Sequence, residues 1–356
     1  MIYYVATERF SSTVRHFLRA VPQAAKVLKP LTYEELFFER AGPIGHYIFT
    51  DFDRLTRFEL ECAASFCVEL AKVAPHARIL NHPLRSLERF PLLIALHKAG
   101  INDFTAIRVE TGARPAAYPA FIRAEDGYGG PETDLIGNDD EYDRAVQSLA
   151  DRNLPARGRI AIGYAAERRD DGFFRKYGAF NIGGQILPHH IQRNKAWVVK
   201  KDIVEHDWTI QRDHADRVTE SAIAEEIAYV RDNPHREILA RAFAIANIDF
   251  GRIDYGIVNG RVQVYEINTN PSMPGRMKQD ARAAIRQMTR PRMLDALALI
   301  DAPSRFAGRV RFSDPRPRMH DVRVPRWTLP ASLLRRAADR FRFGAVAPAA
   351  ARTSEE

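Results

Sequence analysis

The chain has 356 residues, 46% of them hydrophobic, enough to bury a sizeable core and to divide into two or three domains. No run reaches the roughly 18 to 20 consecutive apolar residues of a membrane span, and the first twenty residues lack the basic, apolar, small-residue order of a signal peptide, so the expectation is a globular, cytoplasmic protein. The formal net charge is +8, but twelve Arg face five acidic residues from Ala302 onward, leaving the body nearly neutral; that argues against a nucleic-acid-binding body, which would carry its own basic stripe.

In chain order, YIFTDFD, a helical pattern from Arg54 to Val73, ARILNHP and a second helical pattern from Leu84 to Ala99 alternate as in an α/β unit with partly parallel strands. A small α/β domain over 1–83 is expected. Asp51 and Asp53 end an apolar run, where strand-end carboxylates either face a ligand cleft or cap the next helix; the sequence does not choose. Cys62 and Cys67 lie within one apolar helical stretch and read as core residues.

From Tyr118 the pattern changes to short strands separated by glycine: PAFIRAE, GYGG, a helix around Asp139 to Ala150, RIAIGYAAE, and two strands in FFRKYGAFNIGGQILP. Helices from Ala222 to Val230 and His235 to Ala246 precede RIDYGIV and VQVYEIN, and a last helix runs from Lys278 to Ile300. This order predicts an α+β domain of two lobes over 84–300, the small lobe at about 105–195 and the large one at about 196–300. His189 and His190, with no third spaced ligand, are expected in a loop or against a substrate. Residues 301–356 read as an Arg/Pro-rich extension, in which Leu333, Leu334, Ala337, Ala338 and Phe341 form an apolar stripe opposite Arg335, Arg336, Arg340 and Arg342. Such a basic amphipathic helix suits an anionic membrane, a protein partner, a second subunit in a homodimer, or its own body.

In VQVYEINTNP, strand alternation puts Val262, Val264, Glu266, Asn268 and Asn270 on one face. Asp254 lies twelve residues before Glu266, and Asn259-Gly260 between them is a hairpin signal. With a plain two-residue loop, Asp254 would oppose Tyr265 and the carboxylates would face opposite sides. With a three-residue loop, Val258 to Gly260, Asp254 opposes Val264, Glu266 opposes Arg252, and all share a face. A shared metal site therefore requires the odd-numbered loop or an equivalent bulge. Hard oxygen donors of this kind suit magnesium. Upstream, YPAFIRAEDGYGG has a strand followed by a glycine loop, Gly127 to Gly130, whose backbone amides can close over phosphates.

These segments resemble the metal-binding hairpin and flexible phosphate loop of ATP-grasp enzymes, the superfamily of D-alanine:D-alanine ligase, glutathione synthetase and ribosomal-protein glutamate ligases. The strings R-K-Y, G-R-I-D-Y-G and E-I-N-T-N-P are shared with uncharacterised ATP-grasp-like proteins. The resemblance covers about Leu84 to Ile300 and implies two α+β lobes clasping a nucleotide. It implies Asp254, Glu266 and Asn268 as ligands of Mg2+ or Mn2+, and Arg252 as the catalytic contact to the transferred phosphoryl group. It implies an ATP site at Arg123, Gly127, Gly129 and Gly130, with Tyr164 near the base, Glu167 near the ribose, and Lys176 and Lys200 as phosphate cations. Arg123 stands where better-known members have Lys, a substitution that keeps phosphate binding but is not chemically neutral. The implied activity is an ATP-dependent ligase that activates a carboxylate as an acylphosphate and joins it to an amine, on small-molecule or peptide substrates. The rivals are a phosphotransferase on the same fold and a non-catalytic nucleotide-binding module whose tail docks a partner or membrane.

Overall fold

Thr32 and Thr56 each open a helix with a reciprocal capping box, their hydroxyls accepting from the amides of Glu35 and Glu59. This is why the third helix starts at Arg57 and not at Arg54, as the apolar periodicity alone implies. The computed structural model describes residues 1–126, 129–199, 219–274, 280–301 and 306–315. Its first segment comprises β1 (Ile2–Ala6), α1 (Ser12–Ala20), β2 (Leu28–Thr32), α2 (Tyr33–Glu39), β3 (Ala41–Pro43), β4 (His46–Phe49), α3 (Arg57–Val73) and β5 (Ile79–Leu80). Four of these strands form a parallel sheet in the order β2-β1-β4-β5. Cys62 and Cys67 are buried in the core on one side of it.

Next come α4 (Arg89–Lys98), β6 (Ala106–Arg108), β7 (Ala120–Ala124), α5 (Asp139–Asp151) and β8 (Arg159–Gly163). The three strands make a small antiparallel sheet, β6-β8-β7. Helix α4 begins five residues later than its apolar pattern, because Leu87 donates its amide to Ala246 and holds the approach outside the helix.

The larger sheet is built from β9 (Phe174–Ile182), β10 (Gln185–Asn194), β11 (Phe250–Val258) and β12 (Arg261–Asn268), antiparallel in the order β10-β9-β11-β12, with α6 (Glu220–Asp232) and α7 (Arg236–Ala246) between the two hairpins in sequence. Tyr177, Ala179, Ile253, Tyr255 and Val264 on one face share a core with Tyr229, Leu239, Ala242 and Phe243 of the two helices. Helix α8 (Ala283–Asp301) and β13 (Arg309–Arg311) follow. The part of the expected extension that is described lies within the fold: β13 pairs with β3, and Val310 and Phe312 are buried. The amphipathic stripe from Leu333 to Phe341 lies outside the described residues.

Residues 1–313 form one compact unit. Ile2, Tyr4, Val14 and Ile48 of the parallel sheet and α1 share a core with Phe180, Phe250, Met293 and Leu297 of the larger sheet and α8. Asn81, fully buried with φ of 58°, fastens the two sheets. Its side chain donates to the Phe49 and Phe250 carbonyls and accepts from the amides of Asp249 and Phe250. No helix among the described residues is long and apolar enough to cross a membrane.

Candidate nucleotide and metal site

The β11–β12 hairpin closes with two residues, Asn259 and Gly260, both at positive φ (50° and 75°), so Val258 pairs with Arg261. The expected three-residue loop is not formed. The parity is changed instead by a bulge farther along: Tyr255 pairs with Val264 and Asp254 with Glu266, which leaves Tyr265 as the extra residue. Asp254 therefore stands directly opposite Glu266, and Arg252 opposite Asn268. Val264 and Glu266 lie on opposite faces for the same reason, which corrects the single face expected for Val262 through Asn270. The two valines pack into the α6/α7 core, while the carboxylates face the cleft.

That cleft holds about 870 Å³, including the space at its mouth, between the two antiparallel sheets. Arg123, Gly130, Tyr164, Lys176, Asp254 and Glu266 line it together with Phe121, Trp197 and Tyr265. Asp254 is 2% exposed. Arg252 Nε lies 2.8 Å from one of its oxygens and Lys176 Nζ 3.1 Å from the other. Burial pushes the Asp254 carboxyl up, but Arg252 and Lys176 outweigh it and hold the group below the usual carboxylate range. Glu266 follows the same logic: burial is overcome by Arg89, whose Nη2 is 2.6 Å away, and by Arg123.

The ring of cations around two carboxylates was not legible from spacing, since Arg89 lies 177 residues from Glu266. Arg89 also donates to the Glu125 carbonyl at 2.6 Å, and the Glu125 carboxylate is clamped by Nε and Nη2 of Arg108. Arg123 donates to the carbonyl of Gly129, which ties the end of β7 to the glycine loop. Asn268 accepts from the amide of Asn270.

Other expected residues fall elsewhere. Glu167 accepts from the Asn259 amide at 2.6 Å and pairs with Arg169, so it braces the hairpin turn and is not among the residues lining the cleft. Gly127 and Lys200 lie outside the described residues. His189 and His190, expected in a loop or against a substrate, belong to β10. Asp51 takes neither a bare cleft nor a simple capping role; fully buried, it accepts from Thr7, Arg54 and Asn270. Asp53 lines a second cavity with Arg54, Glu88, Arg89, Asp126 and Glu266, next to the first.

Among the described residues no three His, Cys, Asp or Glu side chains are placed to hold a metal ion. The candidate donor set is therefore two carboxylates and an amide oxygen. That low count suits a hard divalent cation completed by water and phosphate oxygens, and not a closed all-protein cage.

No family model matches the chain, and no curated protein matches it. Solved structures do. An ATP-grasp ligase, PsnB, complexed with a phosphomimetic variant of its minimal precursor, Mg and ADP, is similar at a TM-score of 0.50 and 12% identity, covering 84% of this chain and 97% of that one. A D-alanine–D-alanine ligase from Bacillus anthracis gives a TM-score of 0.48 and 12% identity, covering 84% and 96%. An L-amino acid ligase from Bacillus licheniformis gives 0.41 and 11%, covering 83% and 73%.

Proposed function

Starting from the premise that the chain has the ATP-grasp fold, we propose that it is an ATP- and Mg2+-dependent ligase that joins a carboxylate to an amine. The observation that carries this reading is the pairing of Asp254 with Glu266 on the cleft face, flanked by Arg252 and Asn268. Asp254, Glu266 and Asn268 would hold Mg2+ or Mn2+, which when bound would offset the negative charge of the triphosphate.

The chain's own residues supply the rest. A carboxylate oxygen of the first substrate attacks the terminal phosphorus of ATP, the bond to the bridging oxygen breaks, and ADP leaves. The amine then attacks the acyl carbon of the acylphosphate, and inorganic phosphate departs with the bonding pair. Lys176 and Arg252, which now neutralise Asp254, are placed to turn to phosphoryl oxygens in the first step. Arg252 holds the oxyanion of the tetrahedral species in the second. Arg123 and the glycine loop close over the phosphates, and the aromatic wall of Phe121, Tyr164 and Trp197 takes the base and excludes water. Positioning and fixed charge carry such chemistry without a dedicated general base. The neighbouring cavity with Asp53, Arg54, Glu88 and Asp126 is the proposed seat of the acid and amine, as small molecules or as peptide groups. On this reading residues 1–83 and 84–300 are the preceding domain and the ATP-grasp domain.

The test is an ADP-release screen over pooled carboxylates and amines with Mg2+, using Asp254→Asn and Glu266→Gln as controls. Release that needs both an acid and an amine and is lost in both variants supports the reading. Unchanged turnover in both removes the metal site.

A further inference from the structure

Four residues form one row across the larger sheet: His190 pairs with Gly178, Gly178 with Asp254, and Asp254 with Glu266. Directly paired residues share a face, so His190 belongs to the face that carries the carboxylates. Gly178 has no side chain to separate them. A Cβ there would lie 2.5, 2.7 and 3.0 Å from His190 Cε1, Nε2 and Nδ1, so the imidazole occupies the space above the glycine, next to Asp254.

The ring is half satisfied. His190 Nδ1 lies 2.7 Å from His189 Nδ1, whereas His190 Nε2 is buried and has no partner among the described residues. Two residues along β10, on the same face, the Gln192 Oε1 atom is also buried and without a partner among the described residues. Buried polar atoms are almost always paired, so two orphans side by side at the end of this row point to a ligand that completes them.

The surroundings select that ligand. Burial, His189, Arg252, Lys176 and Arg282 all lower the proton affinity of His190 and keep the imidazole neutral. A neutral ring among those cations favours an anionic oxygen as its partner. When Nδ1 accepts from His189, the proton of His190 sits on Nε2, which can then donate.

We propose that His190 is a substrate-contacting residue of this site, its Nε2 donating a hydrogen bond to an oxygen of the terminal phosphoryl group of ATP. This rests on the ligase reading above but adds a contact that the metal hairpin does not imply. It also makes His190 a discriminator between ATP and ADP.

Calorimetric titration of the full chain with Mg2+ and either AMPPNP or ADP tests it in the native protein, His190→Ala and His190→Gln. The expected result is a loss of roughly tenfold or more in AMPPNP affinity for His190→Ala, typical of a hydrogen bond to a charged group, with ADP affinity unchanged. The Gln amide reaches the position of Nε2 and should restore most of the loss. Equal weakening of both nucleotides marks a purely structural ring, and no weakening of either marks an idle one; both overturn the assignment while leaving the nucleotide site standing. A native protein that binds neither nucleotide overturns the ligase reading and this contact with it.

Discussion

Asn270 Nδ2 lies 2.9 Å from Asp51 Oδ1, a bond between residues 219 positions apart that joins the end of the β11–β12 hairpin to the end of the parallel sheet. The same Asn270 side chain accepts from Tyr4 at 2.8 Å and donates to the Phe10 carbonyl at 3.3 Å. Burial pushes the Asp51 carboxyl up, opposed by Asn270, Arg54 and Thr7. Asn270→Ala removes one of those donors and leaves the Tyr4 hydroxyl without its acceptor. It should cost about 1–3 kcal/mol, read as a lower denaturation midpoint with an unchanged denaturant slope.

Asn102 does comparable work on the free edge of β12. Its amide donates to the Val264 carbonyl and accepts from the Val264 amide, both at 2.8 Å. Asn102→Ala leaves two buried backbone groups unpaired and should destabilise the fold by about 2–4 kcal/mol. Hydrogen exchange at the Val264 amide should rise more than exchange in β1, because the damage is local to the hairpin.

A third prediction concerns the bulge. Tyr265 turns its hydroxyl over Gly256 and donates to the Ala165 carbonyl at 2.8 Å, and a Cβ on Gly256 would overlap that hydroxyl. Gly256→Ala should cost about 1–3 kcal/mol through overpacking and weaken nucleotide binding by shifting Tyr265 out of the cleft wall. Tyr265→Phe alone should cost about 1 kcal/mol. The double variant should be less destabilised than the two single costs combined, because the removed oxygen is what the new methyl group meets. Additive costs in a double-mutant cycle would contradict this account of the bulge.

The second cavity carries a pH signature. Burial, then Asp126, Glu125 and Asp53, raise the Glu88 carboxyl above its usual value. The folded state thus holds that proton more tightly than the unfolded chain. Its contribution favours folding below the ordinary carboxylate value of about 4.3 and is lost as pH rises, turning into a cost once the group is ionised. Glu88→Gln should melt higher than the native protein at neutral pH, and the advantage should vanish near pH 4. A constant difference across that range would exclude the charge cluster as its cause.

Much of the hairpin was legible in the sequence. The acidic and amide residues, the Asn-Gly turn and the strand limits follow from period-two alternation and turn chemistry, and the need for a parity change follows from counting. What composition does not show is where that change falls: Tyr265 looks like an ordinary strand aromatic, and its bulge is selected by packing against Phe104 and by the Ala165 carbonyl. Nor could spacing locate Arg89 beside Glu266, or show that Asn81, Asn102 and Asn270 hold backbone and sheets together. A single Asn in a polar stretch has no periodic signature; its role exists only once distant segments meet. The strands and helices before residue 46 carried no motif, so a parallel rhythm could be expected there without its members being named. Of the two readings of His189 and His190, a loop or a substrate contact, the loop fails because β10 passes through them with a register shift between Pro188 and His190.

The Tyr265 bulge divides β12 into two halves whose facing is set separately. On the turn side, Val262 and Val264 answer to the α6/α7 core; on the open side, Glu266 and Asn268 answer to the cleft. Selection or engineering can therefore rewrite one half without rotating the other, provided Tyr265 keeps its anchor on Ala165. Straightening the bulge with Tyr265 retained would set Tyr265 opposite Asp254 and swap the inside and outside of everything beyond it, turning the Glu266 carboxylate into the core and the aromatic ring toward the cleft.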